Sequence, residues 1–313
     1  MAAVAPSYGW LVASRILLGL GAGTFFPTAS GYAATAAAPA LRGRALALIY
    51  SGLTIATIVG VPLGTAVAAR LGWRATFIGV AVLSVIALVG IAAGLPQVQN
   101  PPVASLADRM KVAARSDMVS VLVLTVIGFA GFQVVYPYFA PLLTRMAGFE
   151  GDGIAVMLLV YGIAGAAGNF LGGYGADKWN VRRYLLIVLA VLVADYCAFA
   201  FFAGRELPIG LARPAAAALV FIWGLAGWMF PATQQYRLVR LAGPLAPIAL
   251  SLNSSAIYLG TSIGAVLGSL VLSSRPVASL GLAAAACYVF AFLWLALSRE
   301  KAAGAVVESR AAE

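Results

Sequence analysis

The chain has 313 residues, 63% of them hydrophobic and 10% charged, with 20 Lys and Arg against 10 Asp and Glu and no histidine. A soluble domain carries about 25% charged residues, which excludes an ordinary water-soluble fold, and the missing histidine excludes histidine-based zinc, haem and hydrolase centres. The net charge of +10 is spread over short connections; without a basic groove interleaved with aromatics it excludes a nucleic-acid surface.

Nine stretches lie between consecutive charges, at 16–41, 45–69, 75–107, 118–144, 153–176, 184–204, 214–236, 241–274 and 276–298. The shortest is 21 residues, and about 20 apolar residues cross a bilayer as a helix. The reading is an all-α polytopic membrane protein with nine transmembrane helices. The first stretch opens beside Arg15 and runs through Gly19, Gly21 and Gly23; the second carries Gly60, Pro62 and Gly64. The longest connection, 96–117, begins rich in Pro and Gln and turns polar. It divides a three-helix part, 1–95, from a six-helix part, 118–298, with a tail at 299–313.

The fourth stretch holds Gln133, Tyr136 and Tyr138, and the fifth Asn169, followed by Gly173, Asp177, Lys178, Arg182 and Arg183. The sixth contains Asp195, the one charge inside any stretch, and Cys197. Trp223 and Gln234 fall in the seventh, Asn253, Gly264 and Gly268 in the eighth, and Cys287 in the ninth. The two cysteines read as small packing residues, with no disulfide, metal site or cofactor implied.

The connections alternate in charge. One set holds 13 cations, among them Arg42, Arg115, Lys178, Arg237 and Arg299; the other holds Arg70, Arg74, Arg145, Arg205, Arg213 and Arg275. Cations are retained on the cytoplasmic side, which places the C-terminus inside and the N-terminus of this chain outside. The chain also resembles itself at an offset of 204 residues, where 19–70 matches 223–274 at 16 of 52 positions without a gap. Chance gives about five for so biased a composition. Gly23/Gly227, Pro27/Pro231, Gly60/Gly264 and Gly64/Gly268 are among the pairs. The offset equals six helices, an even number, so the copies are parallel repeats.

Three sets of residues then resemble one family. Arg15 with Gly19, Gly21 and Gly23 resembles the glycine-rich fourth helix of the drug:proton antiporter branch of the major facilitator superfamily. Gly60, Pro62 and Gly64, followed by Leu71, Gly72, Trp73 and Arg74, resemble its fifth-helix antiporter motif. Val61 between Gly60 and Pro62, Val135 to Leu143, Gly168 to Gly173 and Ser251 to Gly260 look like its arabinose and sugar-efflux members. The resemblance implies a twelve-helix fold, of which nine helices are here: the last three of the N-terminal half and the six of the C-terminal half. It implies proton-coupled efflux of a small organic solute from the inner membrane, with no enzymatic step. The absent first three helices imply a chain that inserts but stays inactive unless another polypeptide supplies them. The competing reading is a truncated, non-transporting remnant or a packing subunit.

Within that frame Arg15 either lines the solute cavity and tunes a proton site or snorkels to the interface. Asp195 either carries a proton or makes a structural helix–helix bond. Gly173, Asp177, Lys178, Arg182 and Arg183 resemble the second-half cytoplasmic gating motif. Gln133, Tyr136, Tyr138, Asn169, Trp223, Gln234 and Asn253 are candidates for the central cavity, or packing hydrogen bonds. The spacings Gly60 to Gly64 and Gly264 to Gly268 point to close helix packing.

Overall fold

A computed structural model describes residues 1–36, 41, 45, 48, 49, 52, 55–94, 110–112 and 114–298. Among them the regular elements are all helical: α1 (Tyr8–Ala36), α2 (Val61–Leu71), α3 (Trp73–Gly94), α4 (Ser116–Val135), α5 (Phe139–Ala147), α6 (Asp152–Lys178), α7 (Val181–Ala203), α8 (Ile209–Ala242), α9 (Ala246–Ser274) and α10 (Ser279–Leu297). Among the described residues seven spans are long and apolar enough to cross a membrane, with α4 and α5 together forming one of them. The polytopic helical architecture is therefore that of a membrane protein. The first predicted stretch corresponds to α1; in the second, residues 46, 47, 50, 51, 53 and 54 lie outside the described residues, and α2 forms its end.

Two compact units divide the chain: residues 1–103 with 151–162, and 104–150 with 163–313. In the first, α2 and α3 form a hairpin whose turn is Gly72, at a φ of 81° that a side chain disfavours. Thr76 Oγ1 donates to the Gly64 carbonyl at 3.1 Å, and Arg74 donates to the Ala5 carbonyl at 3.2 Å. Immediately before α2, residues Ala56–Gly60 widen into a π-turn. Pro62, in the first turn of α2, has no N–H for the carbonyl four residues back, and a wider turn accommodates its ring.

In the second unit α4 packs along α9 and α10, while α7 packs on α10 and α8. The predicted stretch 118–144 is interrupted. A 3₁₀ turn at Tyr136–Tyr138 separates α4 from α5, because Pro137 cannot donate to the helix. The α4–α9 contact is made by Gly260, Gly264 and Gly268, one per turn. A Cβ at any of them would run into the carbonyl of Val126, Ala130 or Val134 in turn. Gly168 and Gly172 do the same for α6 against α8, at Leu225 and Met229. Lipid gives helices no hydrophobic incentive to associate, so backbone approach at small residues supplies the packing. An aromatic core fills the opposite side: Trp223 is 0% exposed among Phe132, Phe139, Tyr196 and Phe199, with ring centroids 5.7 to 6.0 Å away.

Candidate functional site

Helix α8 runs past its predicted end at residue 236 to Ala242, and this extension builds the main polar feature of the second unit. Gln234 and Arg237, three residues apart, share one helical face. Arg237 Nη1 donates to Gln234 Oε1 at 3.3 Å. Gln234 Nε2 donates to the Thr125 hydroxyl at 3.4 Å and to the Val121 carbonyl at 3.2 Å. Thr125 Oγ1 in turn donates to Asn253 Oδ1 at 2.9 Å. The relay thus links α8 to α4 and α4 to α9, and all four residues are at least 96% buried. Buried polar groups that pair with one another fix which helices meet and in what register.

Gln234 and Asn253 were predicted from sequence; Thr125 and Arg237 were not. The sequence places Arg237 in a connection between helices; the structure corrects this, with Arg237 inside α8 and 4% exposed. Its guanidinium reaches Gln234 inside the unit. The spacing of Gln234 and Arg237 was the available signal.

The other predicted residues are dispersed. Trp223 lies inside the aromatic core, where its indole N–H donates to Tyr196 Oη at 2.5 Å. Tyr136 stacks on Phe132 at 4.8 Å beside the 3₁₀ turn. Gln133 and Tyr138 are half-buried where Gly264 and Gly268 approach α4. Asn169 is exposed beside the buried Gly168. Cys197, expected as a buried packing residue, is exposed, and Cys287 is half-buried; both are free. Two clefts, of about 210 and about 500 Å³, share Arg145 in their walls, and no predicted site residue lines either.

At the Asp177 end of α6, Tyr236 donates to Asp177 Oδ1 at 3.3 Å, tying α6 to α8. Arg182 donates to the Leu295 and Ala296 carbonyls at 3.1 and 2.8 Å, where a cation meets the negative end of α10. Asn180 caps α7 by accepting from the Arg183 backbone N–H at 3.1 Å. Lys178 is exposed. Gly173 has open space around it; the close approach belongs to Gly172 and to Gly175, which faces the Tyr184 ring.

In the first unit Arg15 lies 4.5 Å from the centroid of the Phe77 ring, joining α1 to α3. Gly64 meets Thr76, and Gly60 meets only Ala56 of its own turn. Asp195 is 4% exposed on the packed face of α7, and neither carboxyl oxygen has a hydrogen-bond partner. A charged Asp at the centre of a membrane helix costs about 3 kcal/mol on the insertion scale, so its isolation demands a reason.

Residues 1–246 match the model of the Major Facilitator Superfamily. The chain is 30% identical over 290 residues to the uncharacterized MFS-type transporter YbcL of Bacillus subtilis, covering 90% of this chain and 70% of that one. It is 30% identical over 277 residues to the inner membrane transport protein YdhP of Escherichia coli, covering 88% and 68%. It is 26% identical over 298 residues to a probable sugar efflux transporter of Helicobacter pylori, covering 94% and 73%. Among solved structures, a bacterial homologue of the human lysosomal transporter Spinster, inward-facing and unoccupied, shares the fold. Its TM-score is 0.58 at 16% identity, over 95% of this chain and 77% of that one.

Proposed function

This chain belongs to the major facilitator superfamily, whose members are membrane transporters and not enzymes, and on that premise we propose that it exports a small organic solute in exchange for protons by alternating access. The observation that carries the reading is the buried relay of Arg237, Gln234, Thr125 and Asn253. Three helices are joined there by polar groups that a solute hydroxyl or amide can replace one for one, so solute binding competes with helix–helix contact. A ligand shifts a conformational equilibrium only by binding one state better than the other, and that competition supplies the difference. A sugar, nucleoside or drug-like compound with several hydroxyl or amide groups suits such a site. The likeness to the probable sugar efflux transporter supports the first of these.

Gln133, Tyr136, Tyr138, Asn169 and Trp223 complete the candidates for the solute path. Asp177, held by Tyr236, and Arg182, on the end of α10, are the gate contacts in this reading, broken and remade as the transporter switches. Proton coupling is assigned to Asp195 and Arg15. The chain is oriented with the cation-richer side of the alternation in the cytoplasm, and residues 1–95 and 118–298 are its two parts about the linker 96–117. The test uses everted membrane vesicles from cells that make the protein as its own gene encodes it, with a panel of labelled sugars, nucleosides and drug-like amides. Accumulation of at least one compound under an acid-inside gradient, abolished when an ionophore collapses the gradient, is the expected result. Accumulation indifferent to the ionophore would remove the proton from the account.

A further inference from the structure

The ends of four helices meet around two clefts at one end of the second unit. Helix α5 finishes at Ala147 and α7 at Ala203, while α8 starts at Ile209 and α10 at Ser279. The clefts measure about 210 and about 500 Å³, and Arg145, in the last turn of α5, forms a wall of both. Arg205 and Glu206 join it in the smaller cleft. The larger has no other charged side chain and is walled mainly by Pro141, Ala203, Pro276, Val277 and Ala278.

Arg145 is held loosely. It pairs with Glu206 at 3.9 Å, and the two side chains are 52% and 89% exposed. A single long contact between exposed groups contributes little, so a better acceptor displaces Glu206. Arg205 lies 3.8 Å from the centroid of the Phe201 ring, which is exposed in the last turn of α7. That stacking keeps a cation where an apolar helix gives way to a connection, the level of lipid headgroups. Among the described residues of the second unit, this end carries Arg145, Arg205, Arg213 and Arg275 against Glu150 and Glu206. Four cations against two anions leave a surplus of two positive charges.

We propose that the two clefts together bind the headgroup of an anionic phospholipid, with Arg145 and Arg205 on its phosphate. An arginine presents a planar fork of donors that engages two phosphate oxygens at once. A phosphate has the bulk of a few water molecules, each about 30 Å³ in the liquid, and the smaller cleft admits it. The larger cleft, reached across Arg145, takes the glycerol and the first carbons of an acyl chain against its apolar walls. This division of walls selects a lipid, since a free phosphate has nothing to place in the larger cleft. The charge surplus selects an anionic one, because a choline or ethanolamine headgroup adds a cation where cations already exceed anions. Basic pockets between membrane helices are a general means of holding such headgroups. All four arginines belong to the cation-poorer set of connections, so the tendency that retains cations in the cytoplasm does not account for them. The bound lipid ties the ends of α5, α7, α8 and α10 together, and the site goes beyond the transport reading without depending on it.

Native mass spectrometry of the detergent-purified protein, titrated with phosphatidylglycerol and with phosphatidylcholine of the same acyl chains, tests it. Wild type should retain phosphatidylglycerol in preference, and that lipid should raise its unfolding midpoint. Arg145→Gln combined with Arg205→Gln should bind it at least about tenfold more weakly, as expected when charge-assisted hydrogen bonds are lost. Arg213, 5.6 Å from the centroid of the Phe149 ring, lines neither cleft, so Arg213→Gln should bind the lipid as wild type does. Equal retention of the two lipids by wild type overturns the proposal, and that comparison requires no variant to fold. Undiminished binding by the double variant overturns it as well. Inorganic phosphate or glycerol 3-phosphate that displaces the lipid and raises the midpoint as far at equal concentration would overturn the lipid in favour of a free anion. No solute is moved in these measurements, so failure of the transport reading is registered separately.

Discussion

Thr125 is the pivot of the buried relay, because one hydroxyl accepts from Gln234 and donates to Asn253. Thr125→Val keeps the shape and removes both bonds, leaving two buried amides to find other partners. The loss should be about 1–3 kcal/mol, read as a lower unfolding midpoint in detergent, with Thr125→Ser restoring most of it. An unchanged midpoint for the valine variant would show that the relay contributes nothing to the fold. Asp177 predicts a different pattern: Asp177→Asn weakens the Tyr236 contact at an exposed helix end. Solute turnover should fall while solute affinity and membrane insertion stay near wild type, and Tyr236→Phe should reproduce the effect. Gln234, Asn253 and Asp195 were visible in the sequence because a polar side chain in an apolar stretch is conspicuous. Thr125 was not, since a threonine in a membrane helix commonly bonds its own backbone. Arg237 is not legible as a buried residue because a charge reads as the end of a membrane helix, whereas here Gln234 receives the guanidinium and the helix continues to Ala242.

Helix identity follows from hydrophobic length, but helix continuity does not. The stretch 118–144 has one hydropathy profile and two helices, because Pro137 interrupts backbone bonding without altering hydrophobicity. The π-turn before α2 arises in the same way next to Pro62. Glycine spacing told more than hydropathy did. Gly264 and Gly268 do mediate close packing, and their repeat partners Gly60 and Gly64 sit in more open surroundings among the described residues. Gly264→Leu should therefore push α9 off α4 and abolish a monodisperse elution peak in detergent. Gly60→Leu should elute as wild type. Equal behaviour of the two variants would mean that the stripe on α9 is not what holds α4. No sequence signal revealed that Trp223 would be enclosed by rings from α4, α5 and α7, since those contacts join residues 24 to 91 positions apart.

At the scale of the whole molecule, the charge alternation gives an orientation that labelling can check. Gly151 stands at a φ of 47°, so a probe cysteine belongs at the exposed Glu150. In a background with Cys197→Ala and Cys287→Ala, Glu150→Cys should react with an impermeant maleimide in intact cells. Labelling confined to lysed cells would invert the topology. The 204-residue repeat and the loop charges were legible because they are properties of pattern; the solute is not, because it is chosen by distances among side chains that pattern does not encode.

Alternating access makes one demand that no channel or inert membrane protein meets: the same site must face each side in turn. Solute counterflow measures this without any imposed gradient. Proteoliposomes bearing the protein as its gene encodes it are loaded with an unlabelled compound and diluted into a trace of the labelled one. The account predicts transient accumulation of label above equilibrium, saturable in the internal compound and diminished by Asp177→Asn. Label that only equilibrates, or that enters no faster than in protein-free liposomes for every compound of the panel, would contradict it.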